Sequence, residues 1–109
     1  NTNSGILIRA ADRKNLSSTS AYEVNIHDQR PDPAYATGAI VGHAKVSHPV
    51  KAAGKWNTFL ISAKGPELIV TMNGKQTVSL NDNKFDSGPI GLQHAGGLIK
   101  FRKVEIRPL

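Results

Sequence analysis

The sequence predicts an all-β protein, an antiparallel β-sandwich or jelly roll of eight or nine short strands. Three observations carry the prediction. Tyr22-Glu23-Val24-Asn25-Ile26-His27 alternates strictly between apolar and polar residues, the period of a strand with one face on a core. Asn73-Gly74 stands between two β-rich runs, and a type I′ hairpin turn needs positive φ at both central positions, which Asn and Gly tolerate best. No stretch keeps a 3.6-residue apolar period over about ten residues, and there is neither an internal repeat nor a low-complexity tract.

The elements follow in order. Gly5-Ile6-Leu7-Ile8-Arg9-Ala10 is a short, β-branched run closed by the polar loop Asp12 to Ser20, and it reads as the first strand, with Arg9 its only charge. In the second strand, period two places Tyr22, Val24 and Ile26 on the core face and Glu23, Asn25 and His27 on the other. Arg30-Pro31-Asp32-Pro33 breaks regular structure, Thr37 to Gly42 reads as a short strand, and His48-Pro49-Val50 with Ala52-Ala53-Gly54 forms the next connection. Trp56 to Lys64 reads as a longer strand, Gly65-Pro66 turns it, Glu67 to Met72 returns, and Gln76 to Leu80 follows the Asn73-Gly74 turn. After the polar loop Asn81 to Lys84 come a glycine-interrupted strand, Gly88 to His94, a turn at Ala95-Gly96-Gly97 and a final strand, Leu98 to Ile106. In that last run Ile99 and Phe101 share one parity while Val104 and Ile106 share the other, which predicts a bulge near Arg102-Lys103.

The 109 residues fit one small domain, and without a cysteine its stability rests on packing rather than on a disulfide or a Cys-ligated metal. Lys and Arg outnumber Asp and Glu by 14 to 8, a net charge of +6, yet the charge is scattered. The densest basic stretch, Lys100-Phe101-Arg102-Lys103 with Arg107, alternates with apolar residues as a solvent-facing strand surface does, so no nucleic-acid partner is expected. No apolar run approaches the roughly 20 residues of a membrane-spanning helix, and no membrane partner is expected either. Asn1-Thr2-Asn3-Ser4 lacks the basic and apolar blocks of a signal peptide. The absence of cysteine suits the periplasm, the cell exterior and the cytosol alike.

A Gly-x-Ser-x-Gly elbow, a phosphate-binding glycine loop, a Cys nucleophile and a His-Glu-x-x-His motif are all missing from the sequence, which excludes the chemistries they mark. His27, His43, His48 and His94 have no compact metal-ligand spacing, so no metal site is expected, and no cofactor is identified. Glu23, Asn25 and His27 recur at about 7 Å along one strand face, which is the geometry of a polar wall along a groove and equally that of a solvent-facing surface. Gln93 and His94 close a glycine-rich strand whose backbone can approach a ligand closely; alternatively, His94 is a loop histidine bonded to a neighbouring carbonyl. Trp56 has the flat face that stacks on sugar rings, but a lone Trp opening a central strand reads as a core residue.

Several of these segments follow one another in a recognisable order. Asn3 to Arg9, Tyr22 to Asp28, Thr37-Gly38-Ala39-Ile40, Gly54-Lys55-Trp56-Asn57, Asn73-Gly74, Gly88 to His94 and Ile99 to Leu109 together span nearly the whole chain. In this the sequence resembles the 3-keto-disaccharide hydrolase family, whose fold is a concanavalin-like jelly roll. The resemblance implies that residues 1–109 are a single jelly-roll domain or the C-terminal part of one, in a secreted or periplasmic bacterial protein whose ligand is a carbohydrate. It implies a glycoside hydrolase acting on 3-keto-glycosides or related disaccharides, in which the C3 ketone acidifies the C2 hydrogen and the C1 oxygen leaves by elimination. By position it makes Glu23, Asp28 and His94 catalytic, the two carboxylates as acid and base and His94 or Arg9 at the oxyanion. Arg9, Asn25 and Gln93 become substrate-binding residues. His27 stands where the family more often has an apolar residue. The family's domain also has several strands before the Asn-Ser-Gly turn, which implies either that another segment or chain supplies them or that this is a shortened relative that closes differently. The second reading is a noncatalytic carbohydrate-binding or interaction module of a larger secreted protein, and the third is a purely structural domain.

Overall fold

The computed structural model describes residues 2–47 and 50–108, and these hold six strands, one 3-10 turn and no α-helix. The His48-Pro49 part of the expected connection, with Asn1 and Leu109, lies outside the described residues. The strands are β1 (Asn3–Ile8), β2 (Tyr22–Ile26), β3 (Phe59–Lys64), β4 (Glu67–Met72), β5 (Lys75–Asn81) and β6 (Gly91–Gly96). They form two antiparallel three-stranded sheets, ordered β2-β1-β6 and β3-β4-β5.

The second sheet is a meander built from local turn chemistry. Asn73 and Gly74 have φ of 52° and 82°, the type I′ geometry expected of this pair, and they place β5 directly beside β4. The Asn73 side chain extends the turn, its Oδ1 accepting from the Thr58 N–H at 2.9 Å and its Nδ2 donating to Asn57 Oδ1 at 2.9 Å.

Between the sheets, Ile8, Tyr22, Val24, Leu68, Val70 and Val78 form the core with Ile40 and Phe85. The parity read from the sequence is therefore the one that folds: Tyr22, Val24 and Ile26 face inward. Each fully buried aliphatic or aromatic side chain there contributes about 1.5–3 kcal/mol of apolar transfer. Tyr22 packs edge-on against both Phe85 and His43 at 5.2 Å, and its hydroxyl accepts from the Phe85 N–H at 3.3 Å, so its one polar atom is satisfied.

Three departures from the sequence reading have physical causes. The segment expected as a strand from Thr37 to Gly42 runs along the free edge of β2, with hydrogen bonds of 2.9 Å from Asn25 N–H to Ala39 O, Gly38 N–H to Asn25 O and Val41 N–H to Glu23 O. It pairs only through isolated bridges at Ile40, because the chain turns at once to reach β5, where the Thr77 hydroxyl donates to Gly38 O at 2.7 Å. The strand expected from Leu98 to Ile106 does not form. Leu98 and Ile106 are each 75% exposed, and a strand without a neighbour to accept its hydrogen bonds or cover its apolar face has nothing to hold it extended. With it goes the expected bulge, and the strands among the described residues number six rather than eight or nine. Finally, β3 begins at Phe59, leaving Trp56 in the preceding loop, 53% exposed rather than in the core.

Candidate functional site

The outer face of the sheet β2-β1-β6, turned away from the core, carries the polar residues. The register pairs Gly5 with Asn25 on one side and with Gln93 on the other, so Asn25, Gly5 and Gln93 form one row across three strands. The next row is Glu23, Leu7 and Gly91. Two glycines in adjacent rows make a trough. A Cβ built on Gly5 would lie 3.0 Å from both Cγ and Oε2 of Glu23, so the Glu23 carboxyl leans out of its own row and over the glycine, toward the amides.

The trough is closed on two sides. On the β2 side, the 3-10 turn Pro33–Tyr35, capped by the Asp32 carboxylate accepting from Ala34 N–H at 3.1 Å, places Tyr35 O where Asn25 Nδ2 donates to it at 2.7 Å. At the Gly91 end, Leu16 from the polar loop lies over the glycine, its Cδ1 3.0 Å from where a Cβ would sit. Beneath it, Leu7, Ala10 and Ala21 form a small apolar cluster.

Asn25 is fully buried and Glu23 is 6% exposed. Burial pushes the Glu23 carboxyl above its ordinary pKa, and the positive charge of Arg30 offsets part of that rise. Among the described residues, three buried polar atoms have no hydrogen-bond partner: Asn25 Oδ1, Gln93 Oε1 and His27 Nδ1. Buried acceptors are almost always paired, so two orphaned amide oxygens flanking a carboxyl over a glycine floor form a site built to receive donors.

Of the residues expected at the site, Glu23, Asn25 and Gln93 come together here. Asp28 lies just beyond this strand and holds a loop: it accepts from the Thr37 hydroxyl at 2.5 Å, from Ala52 N–H at 2.9 and 3.0 Å and from Ala53 N–H at 3.0 Å. Burial acts to raise its pKa, but those hydrogen bonds, with Lys51 nearby, outweigh it and hold the carboxyl below its ordinary value. Arg9 is turned elsewhere. Its φ of 53° swings the side chain to the other sheet, where the guanidinium donates to Gly65 O at 2.6 Å and borders a shallow cavity of about 260 Å³ with Pro66, Asn83, Phe85 and Asp86. His94 has the opposite parity to Gln93 and is exposed, with Nε2 2.7 Å from Gly97 O, the arrangement of a loop histidine bonded to a nearby carbonyl. Gly5, Leu16, Arg30 and the Tyr35 carbonyl also shape the site, and of these only Gly5, a glycine opening the apolar run of β1, leaves a signal in the sequence. Among the described residues, no three His, Cys, Asp or Glu side chains are grouped to hold a metal ion.

The fold and this face define a jelly-roll sandwich with a carboxyl-bearing trough on the outside of one sheet. The family model of the 3-keto-alpha-glucoside-1,2-lyase-like domain matches residues 1–107, and the chain belongs to that family. Among solved structures it is similar to a crystal structure at 2.00 Å described as "Putative glycosyl hydrolase from Parabacteroides distasonis ATCC 8503", with 25% identity and a TM-score of 0.70. The match covers 88% of this chain and 64% of that one, so the chain spans under two thirds of the protein it resembles. No curated protein matches the chain.

Proposed function

We propose that this is a sugar-processing domain acting on 3-keto-α-glucosides, with Glu23 as the proton-transferring group of a β-elimination. The observation that carries the reading is the Glu23 carboxyl over Gly5, beside the unpartnered Asn25 Oδ1 and Gln93 Oε1. The family description supports the substrate class.

In the proposed reaction the ionised Glu23 takes the proton from C2, and the C–H electron pair becomes an enolate across C2 and C3 with charge on the C3 oxygen. The enolate then restores the C3 carbonyl, a double bond forms between C1 and C2, and the C1–O bond breaks. The departing oxygen takes a proton, which Glu23 now carries, so one carboxyl acts first as base and then as acid. The upward pKa shift suits this, because a stronger carboxylate base has more driving force to take a carbon-bound proton near neutral pH. Asn25 Oδ1 and Gln93 Oε1 accept from sugar hydroxyls and fix the ring.

A noncatalytic sugar-binding module is the second reading, favoured by the separation of Asp28, Arg9 and His94 from Glu23: the two amide acceptors bind hydroxyls without any chemistry. Turnover of a methyl 3-keto-α-glucoside, followed by the enone absorbance of the product, separates the two. We expect wild-type activity that falls about 10²- to 10⁴-fold in Glu23→Gln. Saturable sugar binding with no turnover would select the binding module.

A further inference from the structure

Nδ1 of His27, the third unpartnered buried atom among the described residues, has no part in the elimination assigned to Glu23. Its place follows from the main chain at the end of β2. Asn25 N–H donates to Ala39 O at 2.9 Å and His27 N–H donates to Thr37 Oγ1 at 3.0 Å, so both turn the same edge toward residues 37–41. In an extended chain the main-chain edges and the side chains share a period of two, and His27 therefore puts its ring on the face that carries Glu23 and Asn25. The register of β2 with β1, continued by one residue, sets His27 opposite Asn3, one row past Asn25 and Gly5. Successive rows on one face are about 7 Å apart. Glu23 approaches this interval from the other side, because its carboxyl leans out of its own row and over Gly5. Carboxyl and imidazole thus bracket about one row of the trough, the span of a single pyranose ring.

The polar groups of the trough differ in kind. The unpartnered oxygens of Asn25 and Gln93 only accept, and they suit hydroxyls. A ketone oxygen also only accepts, and the enolate formed from it carries negative charge, so it requires a donor. Asn25 Nδ2 already donates to Tyr35 O, Arg9 donates to Gly65 O on the other sheet, and His94 Nε2 lies 2.7 Å from Gly97 O. His27 Nδ1 has no such partner. It carries a hydrogen in one neutral tautomer and in the imidazolium alike, and a buried donor without an acceptor is costly until a ligand atom supplies one.

We propose that His27 is a catalytic residue of the trough, its Nδ1–H donating to the C3 oxygen of the 3-keto ring whose C2 proton Glu23 removes. The proposal rests on the elimination assigned to Glu23 and supplies the charge stabilisation that reaction needs. As the C2–H bond breaks, its electron pair forms the C2–C3 double bond and the carbonyl pair moves to the C3 oxygen. There the hydrogen bond from Nδ1 strengthens with the growing charge. When the C3 carbonyl forms again, the C2–C3 pair moves to C1–C2 and the C1–O bond breaks. No proton leaves His27 in either step. Because the bond is strongest in the transition state, its loss falls on kcat more than on KM.

The test varies position 27 and follows turnover of methyl 3-keto-α-glucoside by enone absorbance, with circular dichroism to check folding. His27→Leu fills the space without a donor, His27→Asn keeps an N–H near the place of Nδ1, and His27→Gln carries it outward to the place of Nε2. We expect kcat to fall about 10²- to 10³-fold in His27→Leu with little change in KM. His27→Asn should recover most of that loss and His27→Gln should not. Wild-type kcat in His27→Leu, or equal kcat in His27→Asn and His27→Gln, overturns the proposal; the second comparison decides alone if the leucine variant does not fold. Activity that survives these changes but is lost in Glu23→Gln leaves the elimination standing without His27. A wild-type protein that does not turn over the 3-keto-glucoside fails the elimination and the part of His27 together.

Discussion

Glu23 and Asp28 stand five positions apart, and the two carboxyls are treated in opposite ways. Asp28 sits at the end of β2, where the chain leaves the sheet, and is surrounded by donors from Thr37, Ala52 and Ala53. Glu23 sits within the strand, in a setting where burial dominates and its pKa rises. A carboxyl held by donors closes a loop; one buried beside orphaned acceptors stores reactivity. Position in a polar wall does not assign a role, whereas the hydrogen bonds already made do.

The comparison breaks most visibly at the trough floor. Gly5→Ala puts a methyl group 3.0 Å from Glu23 Cγ and Oε2, and the carboxyl must move aside. Turnover should fall about ten- to a hundredfold, the scale of an ångström-sized misplacement of a catalytic group, while the far-ultraviolet circular dichroism stays that of the wild type. Wild-type activity in Gly5→Ala would mean that the carboxyl works from somewhere else.

At the other carboxyl, Asp28→Asn removes the charge that Ala52 and Ala53 donate to. Discounted for the solvent that reaches this group, the loss should be about 1–2 kcal/mol in denaturant unfolding. Turnover of the methyl glycoside should change little, since this group anchors the Trp56 loop rather than the reacting ring. A hundredfold loss of activity with unchanged stability would reverse the roles of the two carboxyls.

The smallest effect is one of sign. Because the folded pKa of Glu23 is raised, its contribution to stability is fully present below its unfolded pKa and is lost as pH rises through the folded value. At neutral pH the ionised side chain therefore weakens the fold, and Glu23→Gln should melt at the wild-type temperature or a few degrees above it. That advantage should shrink as pH falls through the raised folded value and be gone once pH is below the ordinary range for Glu, around 4.3. A clear drop in melting temperature at neutral pH would reveal a partner for the carboxylate.

What was legible in the sequence was local. The parity of β2 follows from strict alternation, and the Asn73-Gly74 hairpin from the φ values that only such residues adopt easily, so both form as read. The Leu98 to Ile106 run also alternates, with one break in parity, but a strand needs a neighbour as well, and pattern does not supply one. At the site, parity placed Glu23 and Asn25 on one face. That Gln93 joins them across Gly5 depends on the register of β6 against β1, which is set by contacts far apart in sequence. The positive φ of Arg9 is not visible in the sequence, and Trp56 reads as core only if it opens the central strand, which instead begins at Phe59.

A carboxyl-carbon NMR titration of the folded protein tests the contrast between the two carboxyls directly. Glu23 should titrate above the ordinary Glu range and Asp28 below the ordinary Asp range, with Glu23→Gln removing only the upper transition. A Glu23 midpoint at or below that of an exposed glutamate would contradict it, because the carboxyl would then be solvated or paired and not the poised base of the trough.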